Sequence, residues 1–223
     1  MIDLASLRLW QLISPALPVG AYAYSQGQEF AVAEGWIDDE DSALEWISGV
    51  AENSIATLDL PVLLRLYHAW QQNDEAQLSY WSRFLIASRE SSEILAEDRH
   101  LGQALARLLS DLDVKQATGW RIKKEINFPL MFALATSHWH IGIQQALAGY
   151  LWAWCENQVA AAIKIIPLGQ TAGQRILSIL IEKIPLLVEQ AMLTTDEDIG
   201  VLCPGLAMGS ARHETQYSRL FRS

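Results

Sequence analysis

"ESSEILAEDRHLGQALARLLSDL", residues 90–112, decides the fold. Ile94, Leu95, Leu101, Leu105, Leu108 and Leu109 recur at steps of three and four, the single apolar stripe of an amphipathic helix. Working outward, the same period holds almost everywhere, and strict alternation over the length of a strand is hard to find. Upstream, Asp74 begins a helix. Before it, Asp59-Leu60-Pro61 reads as an N-cap with proline in the first turn of a helix carrying Leu63, Leu64, Tyr67 and Trp70 up to Asn73. Asp38 to Asp41 place carboxylates at the positive end of a helix reaching about Leu58. Another starts at Ser25, whose spacing to Gln28 is that of a capping box, and stops at Gly35. A first helix runs from about Leu4 to Ile13, ended by Ser14-Pro15.

Downstream from Pro129 the chain is still more apolar. Helices are expected near 130–137, from Gly142 to Ile165 with Pro167 as the stop, and from Gln170 to Leu193 with a kink at Pro185. Helices apolar around most of their circumference belong in the centre of a bundle. The expectation is an all-α, single-domain bundle of about nine or ten helices. Its body is residues 1–209, followed by a flexible tail, 210–223.

The chain has 223 residues and a formal charge of −10, from 16 Lys and Arg against 26 Asp and Glu. Such a body repels nucleic acid and anionic membrane surfaces. No apolar run approaches the roughly 18 to 20 residues that span a bilayer. No basic region followed by an apolar core opens the chain, so a cytoplasmic address is expected. Cys155 and Cys203 lack CxxC spacing and read as plain thiols. Hydrophobic residues make up 51% of the chain, enough that some apolar surface is expected to be covered by a partner.

Three stretches stand out. "SPALPVGAYAYSQGQE", residues 14–29, has the glycines of a phosphate loop but no lysine from Gly20 to Gly27. Ala23-Tyr24-Ser25-Gln26-Gly27 lacks the first glycine and the preceding strand of a nucleophile elbow. What remains is a rigid Pro/Gly turn leading into a capped helix, or a surface that a partner reads. Pro18, Gly20, Tyr22, Tyr24, Ser25, Gly27 and Glu29 are its candidate residues. "GQTAGQRI", residues 169–176, also fails the phosphate-loop spacing and reads as a turn between helices. Just before it, Lys164 is a single cation at the end of an apolar helix, complementing the helix dipole or marking a contact. The third stretch, residues 210–223, carries Arg212, Arg219 and Arg222 against Glu214, a net of +2 on an acidic body.

His138 and His140 invite a metal reading. Two positions apart on a helix, however, they point about 200° away from each other. His68, His100 and His213 stand alone. A metal-dependent helical hydrolase built on His138 and His140, and a free-standing helical domain with a ligand pocket, are the two alternatives to a partner-binding protein.

The opening turn, "IKIIPLGQ" (163–170) and "HETQYSRLFRS" (213–223), in this order and at this length, closely resemble the urease accessory protein F family, UreF. Where that family commonly has Phe-Ser-Tyr-Ser, then His or Gln, Gly, Leu, Glu, this chain has Tyr22-Ala23-Tyr24-Ser25-Gln26-Gly27-Gln28-Glu29. The resemblance implies an all-helical homodimer without catalytic activity, cofactor or metal site of its own. It implies a scaffold in urease maturation between the accessory protein UreD or UreH and the GTPase UreG, with nickel as cargo for the urease apoprotein. On that reading, Lys164 with Pro167, Leu168, Gly169 and Gln170 faces the GTPase. Tyr217, Leu220 and Phe221, on one face of a short helix mobile in the free protein, enter a groove on UreD or UreH, while Arg219 and Arg222 pair with acidic groups there.

Overall fold

The computed structural model describes residues 3–201 and 203–223. Every regular element among them is helical. The sequence marks several boundaries through caps. Asp3 accepts from the Ser6 amide to open α1 (Leu4–Leu12). Glu34 and Gly35, the latter at φ +72°, close α2 (Gln28–Ala33). Asp39 and Ser42 form a reciprocal capping box for α3 (Glu40–Val50). Asp74 caps α5 (Glu75–Ala87), and Ser91 caps the long α6 (Ser92–Asp111). Each N-terminal cap satisfies an amide that the first helical turn would otherwise leave orphaned.

The break expected at Asp59-Leu60-Pro61 does not occur. A π-helical stretch, Ala51–Asp59, carries α3 without interruption into α4 (Leu60–Gln72). An ordinary helix would leave the Thr57 carbonyl without a donor, because Pro61 has no N–H. Here the Gly200 amide reaches in from elsewhere and donates to it at 3.2 Å. Asp59 is no cap either, for its side chain is drawn inward to Arg89. With α3 and α4 counted as one rod, the described helices number ten.

A short α7 (Lys115–Trp120) leads to α8 (Phe128–His138). In α8 every residue from Pro129 to Thr136 is buried, and α4, α6 and α9 (Ile143–Ile165) surround it. Removing that much apolar surface from water, at about 25 cal/mol per Å², makes α8 the centre of the core. Alongside α9 runs α10 (Gln170–Leu193), helical through Pro185. The last helix, α11 (Pro204–His213), begins with Pro204-Gly205 and crosses the expected boundary at 209/210. Proline is tolerated there because a first-turn amide has no helical partner to lose.

Candidate docking surface

The turn after α1 is built on one residue at positive φ followed by a pair. Gly20 (φ +84°) starts a 3₁₀ turn, Ala21–Ala23, which holds Tyr22 out into solvent. Gln26 (φ +52°) and Gly27 (φ +78°) then reverse the chain into α2. The capping box expected between Ser25 and Gln28 is therefore not formed. The helix starts at Gln28 instead of Ser25, Gly27 is its cap residue, and the Gln28 side-chain amide is buried without a partner. Gly27 also lies directly against α11, where an added Cβ would stand 2.5 Å from the Ser210 nitrogen.

Ser25 is occupied elsewhere. Its hydroxyl and its backbone amide both donate to the carbonyl of Ser223, at 2.6 and 2.7 Å. This is the first of a series of ties between the turn and the distant end of the chain. The Arg222 amide donates to the Ala23 carbonyl at 2.8 Å. The amides of Leu220 and Phe221 donate to the two oxygens of Glu29, at 2.7 and 2.8 Å. Ser223 Oγ donates to Glu97 Oε2 at 3.0 Å, while Glu97 Oε1 accepts from Gln26. Gln26 in turn accepts from the Trp154 indole of α9 at 2.9 Å. Tyr24 is buried, with its hydroxyl 3.2 Å from His100 Nδ1.

Residues 214–223 thus lie along the turn in a non-helical conformation, which corrects the expected helical face. Tyr217 and Leu220 are exposed, and so are Arg219 and Arg222. Phe221 is buried against the body. Arg219 already pairs with Glu93 at 2.9 Å. Lys164, exposed in the last turn of α9, stands over the Phe221 ring with its ammonium 5.6 Å from the centroid. Beyond it, Pro167, Gly169 and Gln170 are exposed in the turn into α10 and Leu168 is half-buried. Three stretches distant in sequence therefore meet on one surface.

His213 and Glu93 belong to this assembly: His213 does not stand alone as the sequence suggests, and Glu93 was passed over in sequence reasoning. His213 is fully buried, with Nδ1 2.7 Å from Glu93 Oε2 and Nε2 3.3 Å from Glu29 Oε2. The available signals were a histidine in the last turn of one helix and glutamates in the first turns of two others.

Behind the turn, a cavity of about 280 Å³ has apolar walls that include Leu12, Ile55, Phe128 and Trp154. On one side Arg89 lies between Asp59 and Asp98, at 2.7 and 2.9 Å. Tyr150 donates to Asp59, and the Phe128 amide donates to Asp98. Burial pushes the Glu97 carboxyl up to about 7 and the Cys155 thiol up to about 12. A thiol so placed is inert at neutral pH. His138 and His140 are both exposed at the end of α8, and the described residues contain no group of three or more His, Cys, Asp or Glu placed to hold a metal ion. No described helix is long and apolar enough to cross a membrane.

A sequence model of the UreF family matches residues 37–181. The chain is 51% identical to the urease accessory protein UreF of Alkalilimnicola ehrlichii, over 99% of this chain and 96% of that one. It is 48% identical to the protein of the same name from Hahella chejuensis over the full length of both. A third, from Teredinibacter turnerae, is 51% identical over 97% of this chain and 98% of its own.

Proposed function

The chain belongs to the UreF family of urease accessory proteins, and on that premise we propose that it serves urease maturation as a non-catalytic, homodimeric adaptor. It bridges the accessory protein UreD or UreH and the GTPase UreG in the cytoplasm, with nickel as cargo destined for the urease apoprotein. One observation carries this reading: the turn, the end of α9 and residues 213–223 converge on a continuous surface with exposed tyrosine, leucine and arginine. Aromatic and arginine side chains anchored on a rigid frame are what hot spots of protein interfaces are made of.

Within that surface, Tyr217, Leu220 and Arg222 contact UreD or UreH. Lys164 with Pro167 to Gln170 contacts the GTPase. Arg219 and Phe221, already engaged on the body, fix the strand that presents the others. Because Lys164 touches Phe221, the two contacts are neighbours and each is expected to report on the other.

Pull-down with purified UreD or UreH and UreG tests the assignment. Truncating both Tyr217 and Leu220 to alanine should weaken UreD or UreH binding by about tenfold or more, with helicity and dimer mass unchanged. Lys164→Ala should weaken GTPase recruitment at physiological salt. Wild-type binding by both variants would place the docking surface elsewhere.

A further inference from the structure

Three helix ends meet at His213. It occupies the last turn of α11, where the helix dipole favours a cation. Glu29 and Glu93 occupy the first turns of α2 and α6, where the dipole favours an anion. The imidazole is fully buried between the two carboxylates, and each of its nitrogens faces a carboxylate oxygen. A neutral imidazole has one N–H and one lone pair, so it can donate to only one of them and turns its lone pair on the other. The imidazolium donates to both.

Charge closes in the same way. The remaining groups facing this cluster are Arg219, on Glu93, and the amides of Leu220 and Phe221, on Glu29. Two carboxylates against Arg219 and an imidazolium are neutral. With a neutral imidazole, one negative charge is left uncompensated in a largely buried site, which is costly.

We propose that His213, Glu29 and Glu93 form a proton-dependent clasp, which holds residues 217–223 on the turn while the imidazole is charged and releases them when it loses its proton. Glu29 is the hinge of this device, since the same carboxylate that meets His213 also receives the Leu220 and Phe221 amides. Glu97 separately holds Ser223 by accepting from its hydroxyl. Burial raises its carboxyl to about 7, while the hydrogen bonds from Gln26 and Ser223 favour its ionised form. The inference goes beyond the adaptor reading. Its test needs no partner, so its failure leaves that reading standing.

Hydrogen exchange on the full chain reads the clasp directly, through the Leu220 and Phe221 amides. After correction for intrinsic exchange, their protection should fall about tenfold or more between about pH 5 and about pH 8, the interval in which histidine side chains change charge. Val159, in the core of α9, should keep its protection. Glu97→Gln should retain that fall, which assigns it to His213. His213→Gln should leave the two amides weakly protected at both pH values. Should that variant not fold, Glu93→Gln provides an independent arm. Its amide can meet a neutral imidazole, so the fall should shrink to less than about threefold. A pH-independent protection in the wild type, or a full tenfold fall in either His213→Gln or Glu93→Gln, would overturn the proposal.

Discussion

The side-chain amide of Gln28 is fully buried, and neither its oxygen nor its nitrogen has a hydrogen-bond partner. Leaving such a group unpaired costs about 1 to 3 kcal/mol. The resembling family commonly has leucine here, a side chain of similar reach with nothing to satisfy. Gln28→Leu should therefore raise the unfolding free energy by about 1 to 2 kcal/mol in urea titration, and a loss of stability would show that the amide is used. One position earlier the expectation reverses. Gly27→Ala must hold φ at +78° and push a methyl against the backbone of Gly209 and Ser210. The strain of a left-handed alanine and the displaced α11 together should cost about 2 kcal/mol or more. Among charged groups, Glu97 is ordinarily a carboxyl of 4.5 and in the fold stands at about 7 through burial. Its contribution is fully present below 4.5 and is lost as pH rises to 7, because the folded form holds the proton more tightly. Between those values the wild type should lose stability relative to Glu97→Gln, by an amount of the order of a few kcal/mol. Parallel pH profiles would contradict the burial argument.

The elements were legible in sequence wherever a local rule fixes them. Asp39, Asp74 and Gly35 act within one or two turns of their own helices, and the apolar stripe of α6 is visible as a period. What escaped reading depends on partners far along the chain. Asp59-Leu60-Pro61 has the look of a helix start, yet a π register and a hydrogen bond from Gly200 keep the rod continuous. Asp59 is turned toward Arg89, thirty positions away. That triad welds the π segment to the α5–α6 junction and to α8 through the Phe128 amide. Arg89→Ala would leave Asp59 and Asp98 buried without a counter-charge. It should cost about 3 to 5 kcal/mol, which thermal unfolding would show as a large drop in Tm. The candidate surface divides in the same manner. The turn, Lys164 and the basic tail were visible as motifs, whereas the tail's docked path rests on Glu29, Glu93 and Glu97, none of them near it in sequence.

At the scale of the molecule, the docked strand adds little to the helical body and much to its surface. Residues 214–223 contribute no helix, so their removal should leave the circular dichroism signal per helical residue unchanged. Loss of the buried Phe221 side chain should lower stability by about 1.5 to 3 kcal/mol. A larger collapse would mean that the strand is part of the core. Its attachment also has a temporal consequence. The surface joins Ser25 to Ser223 and places Lys164 over Phe221, so it draws on segments synthesised well apart in time. During synthesis the turn and α9 emerge without the strand that completes them. A nascent or prematurely terminated chain can fold much of its bundle and still lack the finished face, so partners that require that face would meet only chains translated through residue 223.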